Sequence, residues 1–289
     1  MKYVTVFGAS GRIGRELLLL LSRAGVPTIA VSRRRQEALP GVEWMEADLS
    51  VPSSLPSTLC KSRGVFLLSG NGDQLVSGQT NVIEAARHSP VEHIVKLSSG
   101  AVNRESPFYV PGSTIATWHG QIEECLKTSG IAGTILQPNG FMQNWLGELA
   151  QTVKKERKIY EAVGDGKRAY IDLRDIAEVA FTCLQDPEQH AYHSYLLTGD
   201  EAIGFGRLAA IIGDAIGETI DYIALTPEEA GQRMTKLGVP PGVIHSLLAY
   251  AQAQREGKAA YISPAVREIL GKPARTPETF VRDHTEHFK

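Results

Sequence analysis

Three glycines spaced three residues apart, Gly8, Gly11 and Gly14, follow the apolar, β-rich run Val4-Thr5-Val6-Phe7. They lead at once into Leu17–Leu21, a run of helical composition. A strand, a glycine turn and a helix in that order offer backbone N–H groups and a helix N-terminus to a pyrophosphate. Gly8 then permits the tight turn, Gly11 the close approach of a phosphate, and Gly14 close packing of helix on strand. Ser10, Arg12 and Ile13, between the glycines, belong to the same cradle. The spacing is G-x-x-G-x-x-G rather than G-x-G-x-x-G, which shifts the turn and keeps the physics.

The end of the second strand carries Ser32-Arg33-Arg34-Arg35. A dinucleotide fold that prefers NAD usually places an acid here for the ribose 2′-hydroxyl. A serine and arginines instead suit a 2′-phosphate through charge-assisted hydrogen bonds. This points to NADP(H) over NAD, with Arg33, nearest the strand end, as the first contact; the alternative is a solvated basic turn. After the third strand, Asp48 and Leu49 either flank the adenine, with Asp48 reaching its exocyclic amine, or form a cap ahead of Pro52. The fourth strand runs into Leu68-Ser69-Gly70-Asn71-Gly72, small residues past which a ribose can lie against backbone, or simply a flexible loop.

These residues need an open sheet to hold them. Strands are expected at Tyr3–Phe7, Thr28–Val31, Val42–Glu46, Val65–Leu68, His93–Leu97 and Thr134–Leu136. Helices are expected near Arg12–Ala24, Val76–Arg87 and Ile115–Ser129. Strand and helix alternating with short connections imply an α/β, Rossmann-like, doubly wound parallel sheet. Cofactors of such sheets sit outside the carboxyl ends of the strands.

Bulk composition bounds the function. With 289 residues, 43% of them hydrophobic, the chain can bury a full core. Thirty Lys and Arg against 32 Asp and Glu give a net charge of −2, which argues against a nucleic-acid or polybasic membrane role. Cys60, Cys125 and Cys183 show no metal-ligand spacing, so no metal is expected and the thiols read as reduced, in a cytoplasmic protein. The leucine run is far short of the roughly 20 residues that span a bilayer, and no signal peptide is expected.

The fifth strand ends in Leu97-Ser98-Ser99-Gly100. Beyond it come Trp118-His119 with Glu123 and Leu126, Ser129-Gly130, Leu136-Gln137-Pro138-Asn139-Gly140-Phe141-Met142-Gln143-Asn144, Gly166, and Tyr170-Ile171-Asp172-Leu173-Arg174-Asp175-Ile176-Ala177. In order and spacing this series, together with the glycine loop, resembles the NmrA-like group of atypical short-chain dehydrogenases/reductases over essentially the whole chain. That group includes triphenylmethane reductases, NADPH quinone reductases, azoreductase-like proteins and redox-sensing regulators. The resemblance implies an NADP(H) site that also takes in Ser98, Ser99, His119, Pro138 and Asn139, with Ser98 and His119 as catalytic candidates.

The departures are as informative as the matches. Short-chain dehydrogenases generally use a Tyr-x-x-x-Lys pair on the helix after the fifth strand. Registering Glu123 against that helix puts Ile115 at the tyrosine position and His119 at the lysine position. An isoleucine cannot shuttle a proton, which sets sugar epimerisation and alcohol oxidation aside. Quinones, azo compounds and cationic triarylmethane dyes need the missing acid less. They accept hydride while solvent handles the proton, and the protein has mainly to stack a planar acceptor at roughly 3–3.5 Å. His119 either binds the nicotinamide ribose or donates a proton, or is merely a hydrogen-bonded helix histidine.

Phe141, Met142 and Trp145 are expected to form an apolar wall for a flat aromatic substrate, with packing beneath a loop as the alternative. Asn139 would address the carboxamide or substrate, and Asn81, mid-helix, is structural. Asp172 reads as a helix N-cap with Asp175 three residues on, rather than as half of a catalytic pair. Residues 1–145, with contributions from about 166–198, are expected to form the NADP(H)-binding domain. Residues 146–289 would form an interleaved, mainly helical substrate lobe with a strand at Ser194–Leu197, helices at Phe205–Ile216, Pro227–Leu237, Val243–Ala253 and Pro277–His287, and a short strand at Thr219–Ile223. The all-round apolar leucine run leaves monomer or homodimer open. Two further functions stay open beside a reductase of planar electrophiles: an NADP(H)-sensing regulator without turnover, and an imine or iminium reductase of an alkaloid-type pathway.

Overall fold

A computed structural model describes residues 3–34 and 36–289. Arg35, one of the arginines of the basic turn, lies outside the described residues. In chain order the elements are β1 (Tyr3–Val6), α1 (Arg12–Arg23), β2 (Thr28–Ser32), β3 (Val42–Glu46), α2 (Pro56–Leu59), β4 (Ser62–Leu67), α3 (Leu75–Arg87), β5 (His93–Leu97), α4 (Thr114–Thr128) and β6 (Ala132–Pro138). There follow α5 (Glu148–Glu156), β7 (Lys158–Glu161), α6 (Leu173–Gln185), α7 (Pro187–His190), β8 (Ser194–Leu197), α8 (Phe205–Ile216), β9 (Asp221–Ala224), α9 (Pro227–Lys236), α10 (Pro241–Arg255), α11 (Ala265–Leu270) and α12 (Pro277–Asp283). A 3₁₀ turn at Met142–Leu146 precedes α5.

The chain forms two compact units. The first comprises residues 1–102, 115–138 and 173–196; the second comprises 103–114, 139–172 and 197–289.

The first unit is built on a seven-stranded sheet of order β3-β2-β1-β4-β5-β6-β8. Its strands run parallel in the pairs β1–β2, β1–β4, β2–β3, β4–β5 and β5–β6. Parallel strands covered on both faces become apolar throughout. All five residues of β2 and of β5 are buried, whereas the edge strand β3 is only partly covered. Successive side chains alternate in face. Val65 and Leu67 join Val82, Ile83, Ile122 and Leu126 of α3 and α4 in one core cluster, while Phe66 between them does not. Helix α1 packs with α6. Leu17, Leu18 and Leu21 are buried and Leu19 is exposed, so the leucine run is mainly the inner stripe of a packed helix.

The second unit is mainly helical around the two-stranded parallel pair β7–β9, in register from Lys158↔Asp221 to Glu161↔Ala224. Arg157, at φ 54, turns the chain sharply from α5 into β7. Lys158 therefore begins a strand. Trp145, Phe205, Ile212, Phe280 and Phe288 form the centre of this unit's core. Thr276 caps α12 by accepting from Thr279 N, and Pro277 occupies the first helical position, where its missing N–H costs nothing. The helix ends at Asp283, and Thr285–His287 is a separate 3₁₀ turn rather than a continuation. Among the described residues no helix is long and apolar enough to cross a membrane.

Candidate functional site

The glycine turn sits at the carboxyl end of β1 and each glycine has a distinct reason. Gly8 lies at φ 73, and a Cβ there would come within 2.6 Å of the Leu68 carbonyl oxygen. A Cβ on Gly14 would lie 2.2 Å from the Gly8 oxygen, so α1 can dock on β1 only through a glycine. Gly11 N donates to Gly8 O at 3.0 Å, closing the turn. Gly11 is also the N-cap of α1. It has no side chain to cap with, and no acid lies in the first turn. The leading N–H groups of α1 thus lack the anionic complement that helix N-termini favour.

Around this turn is a cleft of about 560 Å³ lined by Gly8, Ser10, Gly11, Ser32, Arg33, Asp48, Leu49, Ser69 and Gly70, together with Val31, Ser50, Leu68, Asn71, Gly72, Gln74 and Leu75. The carboxyl ends of β1, β2 and β4 converge there with the segment after β3. Arg12 is exposed on the first turn of α1, while Ile13 and Gly14 are buried. The Ile13 side chain anchors the helix, and only its backbone belongs to the turn.

Of the basic turn, Arg33 reaches this cleft. Arg34 faces a different recess beside Trp44, Met45 and Glu46. This corrects the grouping of Arg34 with Arg33: successive residues leaving a strand point to different sides. Ser32 is also occupied locally, since its hydroxyl donates to Arg34 O and accepts from Arg34 N at 3.0 Å. Asp48 accepts from Ser50 N at 2.9 Å and Ser50 Oγ at 2.7 Å, which holds its carboxyl below the usual range, with Arg33 nearby adding to the effect. Asp48 thus closes a local turn with Ser50 and does not cap the 3₁₀ turn at Pro52–Ser54, whose N-cap is Val51. Asn81 Nδ2 of α3 donates to Leu49 O at 2.9 Å and fixes the same loop, and Gln79 Nε2 donates to Ser69 Oγ at 3.0 Å.

A second polar cluster lies at the carboxyl ends of β5 and β6. Ser98 N donates to Leu136 O at 2.7 Å and Gly100 N to Pro138 O at 3.0 Å, joining the two strand ends. Pro138 is buried, and Ser99 Oγ accepts from Ala101 N at 3.3 Å. Ser98 Oγ donates to Glu123 Oε1 at 2.5 Å, and the same oxygen receives Gln137 Nε2 at 2.9 Å. The one proton Ser98 can give is thus committed to a buried carboxylate. Ser98, a catalytic candidate by resemblance, thereby clamps β5 to α4.

His119 is buried on α4, with Nδ1 2.9 Å from Lys96 Nζ, which also donates to Leu97 O at 2.9 Å. Burial, and then the Lys96 charge, push His119 down to about 3, so it is neutral at physiological pH. While Lys96 is an ammonium it can only donate, so Nδ1 then accepts and the imidazole hydrogen sits on Nε2. Burial likewise lowers Lys96 from 10.5 to about 7, against an upward pull from Glu123. Lys96 escaped the sequence reading, which treated His93–Leu97 as a plain core strand. A lysine in the apolar run Ile94-Val95-Lys96-Leu97 was the available signal, because lysine is almost never fully buried without a partner. Ile115 lies in the first turn of α4.

In the second unit, Asn139 Nδ2 donates to Ala169 O at 3.3 Å and Ala259 O at 3.2 Å, so its amide hydrogens tie backbone segments together. Phe141 bridges to Ile171 and is half-buried. Met142 and Trp145 are 1% and 2% exposed. The expected aromatic wall is therefore corrected at Met142, which is enclosed in the core and offers no surface. Trp145 borders a cavity from within that core. Asp172 stands at the residue before α6 and accepts from Gln143 Nε2 at 2.8 Å.

Comparison with known proteins matches this architecture. An NAD(P)H azoreductase of Xenophilus azovorans is 32% identical over 290 residues, covering 99% of each chain. The fold is shared with an NADPH-dependent quinone oxidoreductase from Escherichia coli complexed with NADPH, at TM-score 0.84 and 24% identity over 99% of both chains. It is shared too with a Citrobacter sp. triphenylmethane reductase complexed with NADP(H), at TM-score 0.81 and 22% identity over 99% of this chain and 100% of that one. The model of the NmrA-like family matches residues 1–276, and the chain belongs to that family.

Proposed function

We propose that the protein is an NADP(H)-dependent reductase that delivers hydride to a planar electrophile of quinone, azo or triarylmethane type. The observation that carries this reading is the cleft at the β1–α1 turn. Gly8 and Gly14 of its turn leave no room for a Cβ, its helix end has no side-chain cap, and Arg33 stands at its rim. These features fit a dinucleotide: the α1 N-terminus suits the pyrophosphate and Arg33 the 2′-phosphate. The relatives named for NAD(P)H-dependent reduction support the same assignment.

When bound, NADPH supplies the hydride, two electrons and one hydrogen nucleus. The chain's part is to hold and orient. Gly8 and Gly11 seat the phosphates, Arg33 selects the phosphorylated ribose, and Ser98, Ser99 and Pro138 shape the joined ends of β5 and β6. His119 presents a neutral imidazole whose Nε2 hydrogen can be donated, while Lys96 fixes the tautomer. Nothing on α4 takes the place of the usual tyrosine, since Ile115 carries no ionisable group. A delocalised acceptor can take its proton from solvent or from His119 Nε2.

Steady-state NADPH consumption against a panel of quinones, azo dyes and triarylmethane dyes tests the proposal. Turnover of at least one class is expected. Tight NADPH binding with no turnover of any would instead favour a dinucleotide sensor, a reading Ile115 also fits. A sensor must bind NADP⁺ and NADPH with different affinity and change its association with the difference.

A further inference from the structure

The second unit contains a cavity of about 520 Å³ whose wall is drawn from the 3₁₀ turn, α5, β7, α8, α9 and α10. That volume is in the range of a small organic ligand. Trp145, Tyr160, Tyr170, Phe205, Met234 and Leu248 are among its apolar lining. The rings are fixed by one another: Trp145 and Tyr170 are edge-on with centroids 5.0 Å apart, and Tyr170 and Phe205 are edge-on at 6.2 Å.

The polar groups on this wall are unevenly satisfied. Arg233 is already engaged, with Nε 2.8 Å from Glu148 Oε1 and its guanidinium 4.4 Å above the Tyr160 ring. Arg168 is not. It forms no ion pair among the described residues, its guanidinium rests 5.7 Å from the Tyr170 ring centroid, and its buried Nε has no acceptor. A buried donor without an acceptor costs on the order of 1–3 kcal/mol, and such sites call for an occupant. Across the cavity, burial and then Glu148 push Glu161 up to about 7, with Arg168 pulling the other way. Below that pH, Glu161 carries a proton it can donate. The other ionisable groups around it are Tyr222 on β9, Arg233 paired to Glu148, and Arg255 of α10, whose Nη2 donates to Ala162 O at 2.6 Å.

We propose that this cavity binds a flat aromatic compound of neutral or negative charge, oriented so that a carbonyl, phenolate or sulfonate oxygen meets Arg168 and Glu161. The inference rests on the reductase reading and narrows it, from planar electrophiles in general to oxygen-edged ones such as quinones and acidic azo compounds. A cationic triarylmethane dye would bring a positive charge against Arg168, which forms no ion pair among the described residues.

The test is a binding titration of the apoprotein, read by quenching of tryptophan emission, with an anthraquinone monosulfonate and with crystal violet as probes. The sulfonate is expected to saturate with an affinity at least about tenfold above that of the dye, and Trp145→Phe should remove most of the quenching signal. Arg168→Gln should weaken the sulfonate by about 10–100-fold, the range of one or two charged hydrogen bonds, with an unchanged thermal melt. Affinity should fall as pH rises through about 7, because Glu161 becomes an anion facing an anion; Glu161→Gln should keep the affinity and lose that pH dependence. If Arg168→Gln does not fold, the Glu161→Gln titration decides. Preference for the dye, or an intact Arg168→Gln protein with unaltered affinity, overturns the inference. Binding as described without NADPH turnover would sink the reductase reading and leave the site standing. Turnover with no binding in the cavity would do the reverse.

Discussion

Lys96 Nζ and His119 Nδ1 lie 2.9 Å apart, both side chains buried, and the Lys96 charge depresses the basicity of His119 beyond what burial alone does. Lys96→Met should therefore raise the His119 pKa from about 3, without restoring it to 6.5, because burial is the larger cause. Ring-nitrogen NMR across a pH series reads both the pKa and the Nε2–H tautomer. An unmoved titration would show that the Lys96 charge does not act on the His119 ring.

The same lysine carries a signature in stability. Its folded pKa is about 7 against 10.5 for the free side chain. Between those values the unfolded chain binds more protons than the folded one, so stability rises with pH through that window and the burial penalty is full below it. The contribution approaches about 1.4 kcal/mol per pH unit. Denaturant unfolding of wild type and Lys96→Met across this range should show the slope in the first and its loss in the second. Equal slopes would mean that Lys96 is not the titrating group.

Arg33→Ala should weaken NADPH by about 10–100-fold and NADH by little, since one charged hydrogen-bonding partner of a phosphate is worth roughly 1.5–3 kcal/mol. Arg34→Ala, facing the other recess, should leave both unchanged. Equal loss of NADPH and NADH binding in Arg33→Ala would remove the arginine from the 2′-phosphate.

Gly14→Ala places a methyl 2.2 Å from the Gly8 carbonyl oxygen, a contact that must push α1 off β1. Overpacking of this kind costs about 1–3 kcal/mol, which corresponds to a fall in melting temperature of about 2–12 °C for a domain of this size. Calorimetry would settle it, and Gly25→Ala, where no atom lies within 4 Å of the added carbon but φ is 65, is the comparison that isolates the clash from backbone strain.

Ser98→Ala leaves Glu123 Oε1 with the Gln137 amide as its remaining short-range donor, while Lys127 Nζ lies 3.8 Å from Oε2. A loss of about 1–3 kcal/mol in stability is expected from a buried carboxylate missing a donor. If Ser98 were instead the proton source, the variant would keep its stability and lose kcat, so unfolding and turnover measured on one preparation separate the two.

Much of the sheet was legible in the chain because parallel strands buried on both faces are written as short apolar runs. His93–Leu97, buried throughout, stands where composition places it, as do the edge strands Val42–Glu46 and Ser194–Leu197, which are only partly covered. The glycine turn was legible for a different reason. A positive φ at Gly8 and a missing Cβ at Gly14 are local demands that only one residue type meets. What the sequence determined by itself was therefore the α/β layering, the β1–α1 turn and the placing of an arginine at the end of β2.

Only tertiary structure decided which neighbours shared a site. Arg33 and Arg34 are adjacent in sequence and face different recesses, because direction on leaving a strand alternates. Met142 was apolar enough for a wall and proved to be core, since composition does not say which side of a loop is covered. Lys96 and His119, and Glu161 and Arg168, acquire their chemistry from burial and from partners brought together by folding. A pKa is set by desolvation and nearby charge in three dimensions, and no spacing along the chain encodes it.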